Sequence, residues 1–232
     1  MAPADIILYT NHRCPFAHRA HITLAELGLS YKEEIIDLDT PRTPEYLKVN
    51  PRGLVPSISY NGEIITESAI VAQFLADTYP SDFLPASSDP KGALTRARIN
   101  FFTDTWSTKI QSHIFKLTYS ASVVSEEVVK DATASIVKEI EPLLSNAAPF
   151  FNGSDKLTFA EAIVAPFVIR FFTLSKHGLV PASFLSALEK EAPNFYKWAQ
   201  AVNKHPSVLS IYNEDVIVDG TKKRIAKLKA QA

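Results

Sequence analysis

The sequence predicts an α/β unit followed by an all-helical unit. Short apolar runs bounded by turn residues alternate with helical patterns up to about residue 80, as strands and helices do in an α/β domain. Beyond residue 91 only helical patterns occur, which is typical of an all-α domain. These patterns lie at about 92–120, 125–147, 158–177 and 193–204.

A proline-containing segment separates the two units. Pro80, Pro85 and Pro90 stand among Ser, Asp and Ala residues, and this composition cannot continue a helix but suits an extended linker. We therefore expect a boundary here. The expected segments are an N-terminal domain 1–80, a linker 81–90, a helical domain 91–214 and a C-terminal tail 215–232.

The N-terminal unit is predicted to begin with a strand, a helix and a second strand. Residues 6–10 form a short apolar run, and Pro15 suits the first position of a helix because that position needs no N–H donor. Apolar residues then recur at helical spacing until Leu27, and Gly28 fits the position after the helix. A strand at 31–38 would return parallel to the first through a right-handed crossover.

A hairpin and a covering helix are predicted to complete this unit. Strands at 54–60 and 63–65 flank Asn61-Gly62, the dipeptide that best fits a two-residue hairpin turn. Apolar residues at helical spacing in 67–79 then predict a helix that covers the hairpin.

The composition limits the partners of the chain. Its 232 residues include 24 basic and 25 acidic side chains, so no overall field attracts nucleic acid or an anionic membrane. No apolar run approaches the roughly 18 residues of a membrane span, and residues 1–13 lack the pattern of a secretory signal. We expect a cytoplasmic protein with no membrane or nucleic-acid partner. The basic residues 222–229 are expected to form a solvated helical end.

The single cysteine stands at the predicted junction of a strand and a helix, in the run HRCPFA at residues 12–17. The N–H groups at the start of a helix, and the neighbouring Arg13, favour the thiolate form of Cys14. A free cysteine is also often buried and inert. From the residue type alone, an inert and a reactive cysteine are about equally expected. Its position at the helix start favours a chemical role.

Three short motifs occur in the first 70 residues: Cys-Pro-Phe at 14–16, Leu-Val-Pro at 54–56 and Glu-Ser at 67–68. They recur in this order in thioredoxin-like glutathione transferases. The chain resembles this family over about 210 residues, and its Cys-Pro-Phe-Ala run is similar to that of the omega class. The resemblance implies a thioredoxin-like α/β N-terminal domain followed by an all-α C-terminal domain. It also implies glutathione as cosubstrate and a homodimer.

The resemblance further implies a catalytic role for Cys14. The residues that it implies in glutathione binding are Phe16, Val55, Pro56, Glu67 and Ser68. Pro56 matches the cis-proline of the family, and the backbone of Val55 is expected to pair with the cysteinyl part of glutathione. At the start of a helix, Ser68 suits the γ-glutamyl carboxylate, while the carboxylate of Glu67 suits its ammonium group.

Two features of this site stay open in the sequence. Without the resemblance, Glu67 could merely complement a helix dipole behind an N-cap at Thr66. Omega-type relatives place a lysine before a Pro-Glu-aromatic triplet, whereas this chain has Thr43 before residues 44–46. Three other cations could bind the glycyl carboxylate of glutathione, namely Arg42, Lys48 and Arg52.

The helical unit carries a capping box and several aromatic residues. Thr158 and Glu161 precede the apolar helix at 162–174 and resemble the folding signature of the family, with Glu in place of its usual Asp. The aromatic residues are expected to be mostly core, although some could wall a hydrophobic pocket facing Cys14. They are Phe101, Phe102, Trp106, Phe115, Tyr119, Phe171 and Phe172.

The function that these features predict is glutathione-dependent thiol transfer and reduction through Cys14. Ala17 stands where the similar glutaredoxins have a second cysteine, so a dithiol mechanism is excluded. The expected partners are glutathione and a small hydrophobic or disulfide electrophile, including mixed disulfides and dehydroascorbate. Two alternatives stay open: a conventional glutathione-conjugating transferase, and a non-catalytic glutathione-binding regulatory or carrier protein on the same fold.

A metal site is the less favoured interpretation. Cys14, His18 and His21 share one helical face, but no fourth ligand follows at a recognisable spacing. We therefore expect no metal, and we expect His18 and His21 to be surface or capping residues.

Overall fold

The computed structural model describes residues 4–120 and 124–231. Its four-stranded mixed sheet has the strand order β2-β1-β3-β4. The pair β1 and β2 is parallel, whereas β1 with β3 and β3 with β4 are antiparallel. The strands are β1 (Ile6–Thr10), β2 (Lys32–Ile35), β3 (Ser57–Tyr60) and β4 (Glu63–Thr66). This architecture confirms the predicted mixed sheet, although β2 and β3 are shorter than the predicted strands.

The β3–β4 hairpin turns at Asn61 and Gly62, as the sequence predicts. Both residues have positive φ angles, 52° and 91°, and Tyr60 pairs with Glu63 across the turn. Positive φ at both central positions is the requirement of a type I′ turn, which asparagine and glycine meet at low cost.

Two helices cover the sheet. The helix α1 (Pro15–Glu26) ends before Gly28, whose φ of 62° lets the Gly28 and Leu29 N–H groups bond back to the last turn. Between the helices and the sheet, Leu8, Leu24 and Ile58 are fully buried. The later helix α3 (Ser68–Thr78) completes this core. Both predicted helices are thus confirmed, with ends that differ by one residue.

Two local expectations in this unit were incomplete or wrong. Between β2 and β3 lies α2 (Pro44–Val49), which we did not predict, although Thr43 caps it and Pro44 starts it. The N-cap of α3 is Glu67, at a φ of 70°, and not Thr66. Thr66 cannot cap the helix because it is the last residue of β4 and pairs with Ser57.

The rest of the described chain is helical. The predicted pattern 92–120 consists of an α-helix, the π-helical turn Trp106–Ile110 and a second α-helix, and the helix at 182–191 was not predicted. The helices are α4 (Gly92–Thr105), α5 (Gln111–Thr118), α6 (Glu126–Glu139), α7 (Phe159–Lys176), α8 (Ala182–Glu191), α9 (Pro193–Val202), α10 (Pro206–Leu209) and α11 (Glu214–Gln231).

The predicted capping box begins α7. The N–H and the hydroxyl of Thr158 donate to Glu161 Oε2, while Thr158 Oγ1 accepts from the N–H of Ala160. Glu161 is fully buried and also accepts from the Phe151 N–H and the Trp198 indole. Burial raises the pKa of Glu161, and these hydrogen bonds oppose that shift.

The segments predicted as a linker and a tail both pack against the helical unit. In the linker, Phe83 and Leu84 are buried, and the Phe83 carbonyl accepts from the Phe159 N–H at 2.9 Å. Residues 215–231 of the predicted tail are helical in α11, which packs on α7 and buries Ile217 and Val218. Within the described residues, no helix combines the length and apolar composition needed to cross a bilayer.

Candidate functional site

Cys14 is the N-cap residue of α1 and is partly exposed. Its Sγ lies 3.8 Å from the carbonyl oxygen of Val55, within reach of a weak S–H hydrogen bond. No side chain caps the helix, and its first turn contains no acidic residue. No side chain therefore competes with the sulfur for the N–H groups at the start of α1.

Two side chains hold the backbone that leads into Cys14. Asn11 Oδ1 accepts from the Arg13 N–H at 3.0 Å, and Asn11 Nδ2 donates to the Ile36 carbonyl at 2.9 Å. From α7, Arg170 Nη2 donates to the carbonyls of His12 and Arg13 at 3.2 and 3.3 Å. The loop before the cysteine is thus fixed from the sheet on one side and from the helical unit on the other.

Three arginines affect the charge around the thiol. Arg13, the neighbour in sequence, forms an ion pair with Asp39 at 2.8 Å. Two buried arginines, Arg19 and Arg170, interact electrostatically with Cys14. Burial lowers the pKa of Arg19 to about 10, and negative charge at Cys14 opposes that shift. Burial also lowers the pKa of Arg170, opposed by Tyr212, Tyr119 and Cys14.

Sequence reasoning missed Arg19 and Arg170. The sequence does show each arginine within an apolar helical stretch. An arginine is almost never fully buried without partners, so such a residue indicates a specific set of hydrogen bonds. Arg19 lies on the predicted helix that starts at Cys14, just over one turn further along. Arg170 lies within the apolar helix that follows the capping box.

The segment 54–56 forms the wall opposite the helix start. The Val55–Pro56 peptide bond is cis, as the resemblance implies. Tyr46 donates its hydroxyl to the Leu54 carbonyl, which also accepts from Asn50 Nδ2 at 2.9 Å. These bonds from α2 fix the segment whose carbonyl faces Cys14.

Glu67 and Ser68 lie at the start of α3. No side chain caps this helix, so its first N–H groups keep the capacity to bind an anion. The Glu67 carboxylate is partly exposed and pairs with Arg52. Ser68 is buried, and its Oγ accepts from Arg19 Nη1 at 3.0 Å.

Phe16 extends from α1 toward the helical unit. Its ring contacts Phe167 and Phe115, with centroid distances of 5.3 and 6.4 Å. The Arg19 guanidinium lies over the rings of Phe16 and Phe167, at 5.2 and 5.0 Å. The side chain of Phe16 therefore belongs to the packing between the two units, and its contact with glutathione stays a prediction.

The three cations left open for the glycyl carboxylate have different surroundings. Arg42 donates to the carbonyls of Asp37, Thr40 and Gly53 and so holds a loop together. Arg52 pairs with Glu67, and Lys48 is exposed on α2. Arg42 is accordingly the least available of the three.

His18 and His21 are both buried, so the expectation of surface or capping residues was wrong. The error arose because α1 packs against α3 and α7 and also contributes to the core above the sheet. His18 bonds to the Val208 carbonyl at 3.0 Å and to Arg170 at 3.1 Å. Burial lowers the pKa of His18 well below its ordinary value, and it lowers that of His21 to about 4.

One group of side chains in the described part of the chain could hold a metal ion. It consists of His12, His21 and Glu33, whose ligand atoms lie within 4.8 Å of one another. His12 already bonds to Glu33 at 2.8 Å, and His21 bonds to Thr10 and Tyr31. The group is satisfied as a hydrogen-bond network, and it differs from the Cys14–His18–His21 face considered from the sequence.

A cavity of about 580 Å³ adjoins the C-terminal helix α11. Phe115, Tyr119 and Val128 line it, and Arg224 from α11 lies 4.3 Å above the Tyr119 ring. Tyr119 is half-buried. Desolvation raises its pKa, Arg170 and Arg224 oppose this shift, and negative charge at Cys14 adds to it.

The other aromatic residues considered for a substrate pocket have different positions. Phe102, Trp106 and Phe171 are fully buried, and Phe172 packs against the same core. Phe101 is 61% exposed and lines a separate surface pocket with Phe151. Most of these aromatics are therefore core residues, as expected, and Phe115 and Tyr119 are the two that line the cavity near α11.

Comparisons with known proteins agree with this geometry. The family model "Glutathione S-transferase, N-terminal domain" matches residues 13–78. The structure of glutathione transferase Omega 1C from Trametes versicolor superposes with a TM-score of 0.83 at 27% identity, covering 97% of this chain and 98% of that one. Both the sheet with its covering helices and the helical unit are thus shared.

Two curated relatives extend the match. Glutathione S-transferase 3 of Glycine max is 28% identical over 207 residues, which cover 88% of each chain. Glutathione S-transferase omega-1 of Rattus norvegicus is 25% identical over 172 residues, covering 73% of this chain and 68% of its own length. Residues 13–78 thus match the N-terminal domain of glutathione S-transferases, and the chain as a whole is similar to omega-type glutathione transferases.

Proposed function

We propose that this chain is a glutathione-dependent thiol transferase in which Cys14 forms a mixed disulfide with glutathione. The observation that carries the proposal is the position of Cys14, partly exposed at the uncapped start of α1 with Sγ 3.8 Å from the Val55 carbonyl. Thiol–disulfide exchange requires an accessible sulfur, and the start of a helix is where reactive cysteines are found.

Glutathione would lie between the starts of α1 and α3. Its γ-glutamyl carboxylate would meet the free N–H groups at Ser68, where the nearby Arg19 guanidinium adds positive charge. Its ammonium group would bind the Glu67 carboxylate, which already forms an ion pair with Arg52. The backbone of Val55, next to Pro56, would pair with the cysteinyl unit, and Phe16 would border it.

The reaction balances with two molecules of glutathione. The Cys14 thiolate attacks the glutathionyl sulfur of a mixed disulfide, so that a Cys14–glutathione disulfide forms and the substrate leaves as a thiolate. A second glutathione thiolate then attacks the glutathionyl sulfur of that disulfide. This step releases oxidised glutathione and restores the Cys14 thiolate.

The second thiol has to come from solution. Cys14 is the only cysteine of the chain, and Ala17 is buried at the position of the second cysteine of glutaredoxins. No internal thiol can therefore resolve the mixed disulfide. The intermediate should accumulate whenever free glutathione is scarce.

The second substrate is proposed to be a small mixed disulfide or dehydroascorbate. Two free glutathiones would reduce dehydroascorbate to ascorbate and leave as oxidised glutathione. The cavity near α11 has aromatic and aliphatic walls and a size suited to such molecules.

Two further proposals concern the assembly and the domain boundaries of the protein. We expect the chain to act as a cytoplasmic homodimer, with domain boundaries at 1–80 and 91–214 joined by 81–90.

Intact-protein mass spectrometry tests the proposed intermediate. The protein is incubated with a glutathione mixed disulfide and no free glutathione, and should gain one glutathionyl group on Cys14 that added glutathione removes. If no adduct forms although the protein binds glutathione, the result would support the non-catalytic alternative. Efficient conjugation of an aryl halide without an adduct would support the conventional transferase.

A further inference from the structure

The structure assigns Arg170 of α7 as a positioning residue for the loop that carries Cys14, an inference that rests on the proposed thiol chemistry. Arg170 donates to two consecutive carbonyls, those of His12 and Arg13, immediately before the cysteine. A residue from the helical unit would thereby set the reactivity of a thiol in the α/β unit.

The guanidinium of Arg170 is held in place by several partners. Its Nη1 donates to the Pro166 carbonyl at 2.8 Å and to His18 Nδ1 at 3.1 Å. The ring of Tyr212 lies 5.6 Å from the guanidinium carbon. Arg170 is only 3% exposed, so its direction is fixed by these contacts and not by solvent.

His18 is the acceptor that completes this arrangement. Its Nε2 faces the Val208 carbonyl at 3.0 Å, and a carbonyl can only accept, so Nε2 carries the hydrogen. In the neutral imidazole, Nδ1 is then free to accept from Arg170. His18 also stacks on Tyr212, with ring centroids 6.2 Å apart.

Only an arginine suits this position. Its planar fork directs Nη1 toward α7 and α1 while Nη2 reaches the two loop carbonyls. A lysine instead carries all its donors on one nitrogen atom. The fork fixes the peptide groups on which the direction of the Cys14 side chain depends. It also supplies a buried positive charge that interacts electrostatically with Cys14.

The test measures alkylation of Cys14 by iodoacetamide in the absence of glutathione. Arg170→Met removes the charge and the fork, Arg170→Gln keeps one amide donor without charge, and Arg170→Lys keeps the charge without the fork. The exposed Arg98 on α4 supplies the control Arg98→Met. Rates are taken at pH 6.5 and pH 9.5, and thermal melting monitors folding.

We expect the rate at pH 6.5 to fall about tenfold in Arg170→Gln and Arg170→Met, because loss of a nearby opposite charge reduces the thiolate fraction by about that factor. The rate at pH 9.5 should fall much less, and Arg170→Lys should lie between. Arg98→Met should match the wild type. A purely structural role would change the melting temperature but not the ratio of the two rates.

The inference would be overturned if the ratio of the alkylation rates at pH 6.5 and pH 9.5 were equal in Arg170→Gln and wild type, even if Arg170→Met fails to fold. The proposed function fails differently, since the wild type would then alkylate readily yet transfer no thiol. A wild type that transfers thiol while Arg170→Gln keeps its alkylation ratio would leave the function standing and remove only the role of Arg170.

Discussion

Arg19 Nη1 donates a hydrogen bond to Ser68 Oγ across 3.0 Å, which joins the helix that starts at Cys14 to the helix that starts at Ser68. The same guanidinium donates from Nε to the Ile163 carbonyl of α7 at 2.9 Å. One buried side chain thus connects the cysteine helix, the proposed carboxylate site and the helical unit. Their relative positions depend on it.

Replacing Arg19 by methionine should lower both stability and glutathione affinity. The change leaves the Ser68 hydroxyl and the Ile163 carbonyl without this donor, which costs about 2 kcal/mol in unfolding free energy. Urea denaturation measures the loss, and calorimetry measures glutathione binding. Arg98→Met, on the exposed face of α4, serves as the control. Wild-type values for Arg19→Met would show that the link is dispensable.

Glu67→Ala should weaken glutathione binding without affecting the fold. Removing a charge-assisted bond to the ammonium group should cost about 2 kcal/mol, or roughly 30-fold in Kd. The nearby Glu63 on β4 is exposed, so Glu63→Ala is a matched control for the loss of one negative charge. If both variants bind glutathione as the wild type does, the γ-glutamyl end lies elsewhere.

The stability of the protein should decrease as pH falls from about 6.5 toward 4. An unfolded histidine binds its proton near pH 6.5, whereas burial lowers the pKa of folded His21 to about 4. Between these values the unfolded state binds more protons, so protonation favours unfolding. The stabilisation is complete above pH 6.5, and His18, whose pKa is also lowered, acts in the same direction.

Unfolding free energies at pH 7 and pH 5 test this dependence. His21 alone should account for a decrease of about 2 kcal/mol between these pH values. In His21→Gln, whose amide can still bond to Thr10 and Tyr31, the decrease should be smaller by that amount. An unchanged pH dependence in His21→Gln would mean that His21 does not resist protonation in the folded protein.

Local sequence signals predicted the parts of the fold that depend on few residues. The Asn61-Gly62 turn, the end of α1 at Gly28 and the capping box at Thr158 all appear as predicted. Each depends on backbone chemistry within about four residues, which a single sequence displays directly. The cis peptide at Pro56 followed from resemblance and not from local chemistry.

The polar interior of the site could not be predicted in the same way. Arg19, His18 and His21 lie on α1, and helical periodicity assigns such residues to a solvated face. In the structure α7 covers Arg19 and His18, a contact between segments about 150 residues apart in the chain, while His21 bonds to Thr10 and Tyr31. Arg170 reaches the cysteine loop across the same interface. Their burial follows from tertiary packing, which the pattern of one helix does not contain.

The most direct test of the account compares wild type with Cys14→Ser in two assays, thiol transfer from a glutathione mixed disulfide and conjugation of an aryl halide. A serine hydroxyl can donate a hydrogen bond to bound glutathione thiolate, but it cannot form the mixed disulfide. We predict that Cys14→Ser loses thiol transfer and that its conjugation persists or rises. A serine variant that keeps the wild-type thiol-transfer rate would contradict the cysteine mechanism.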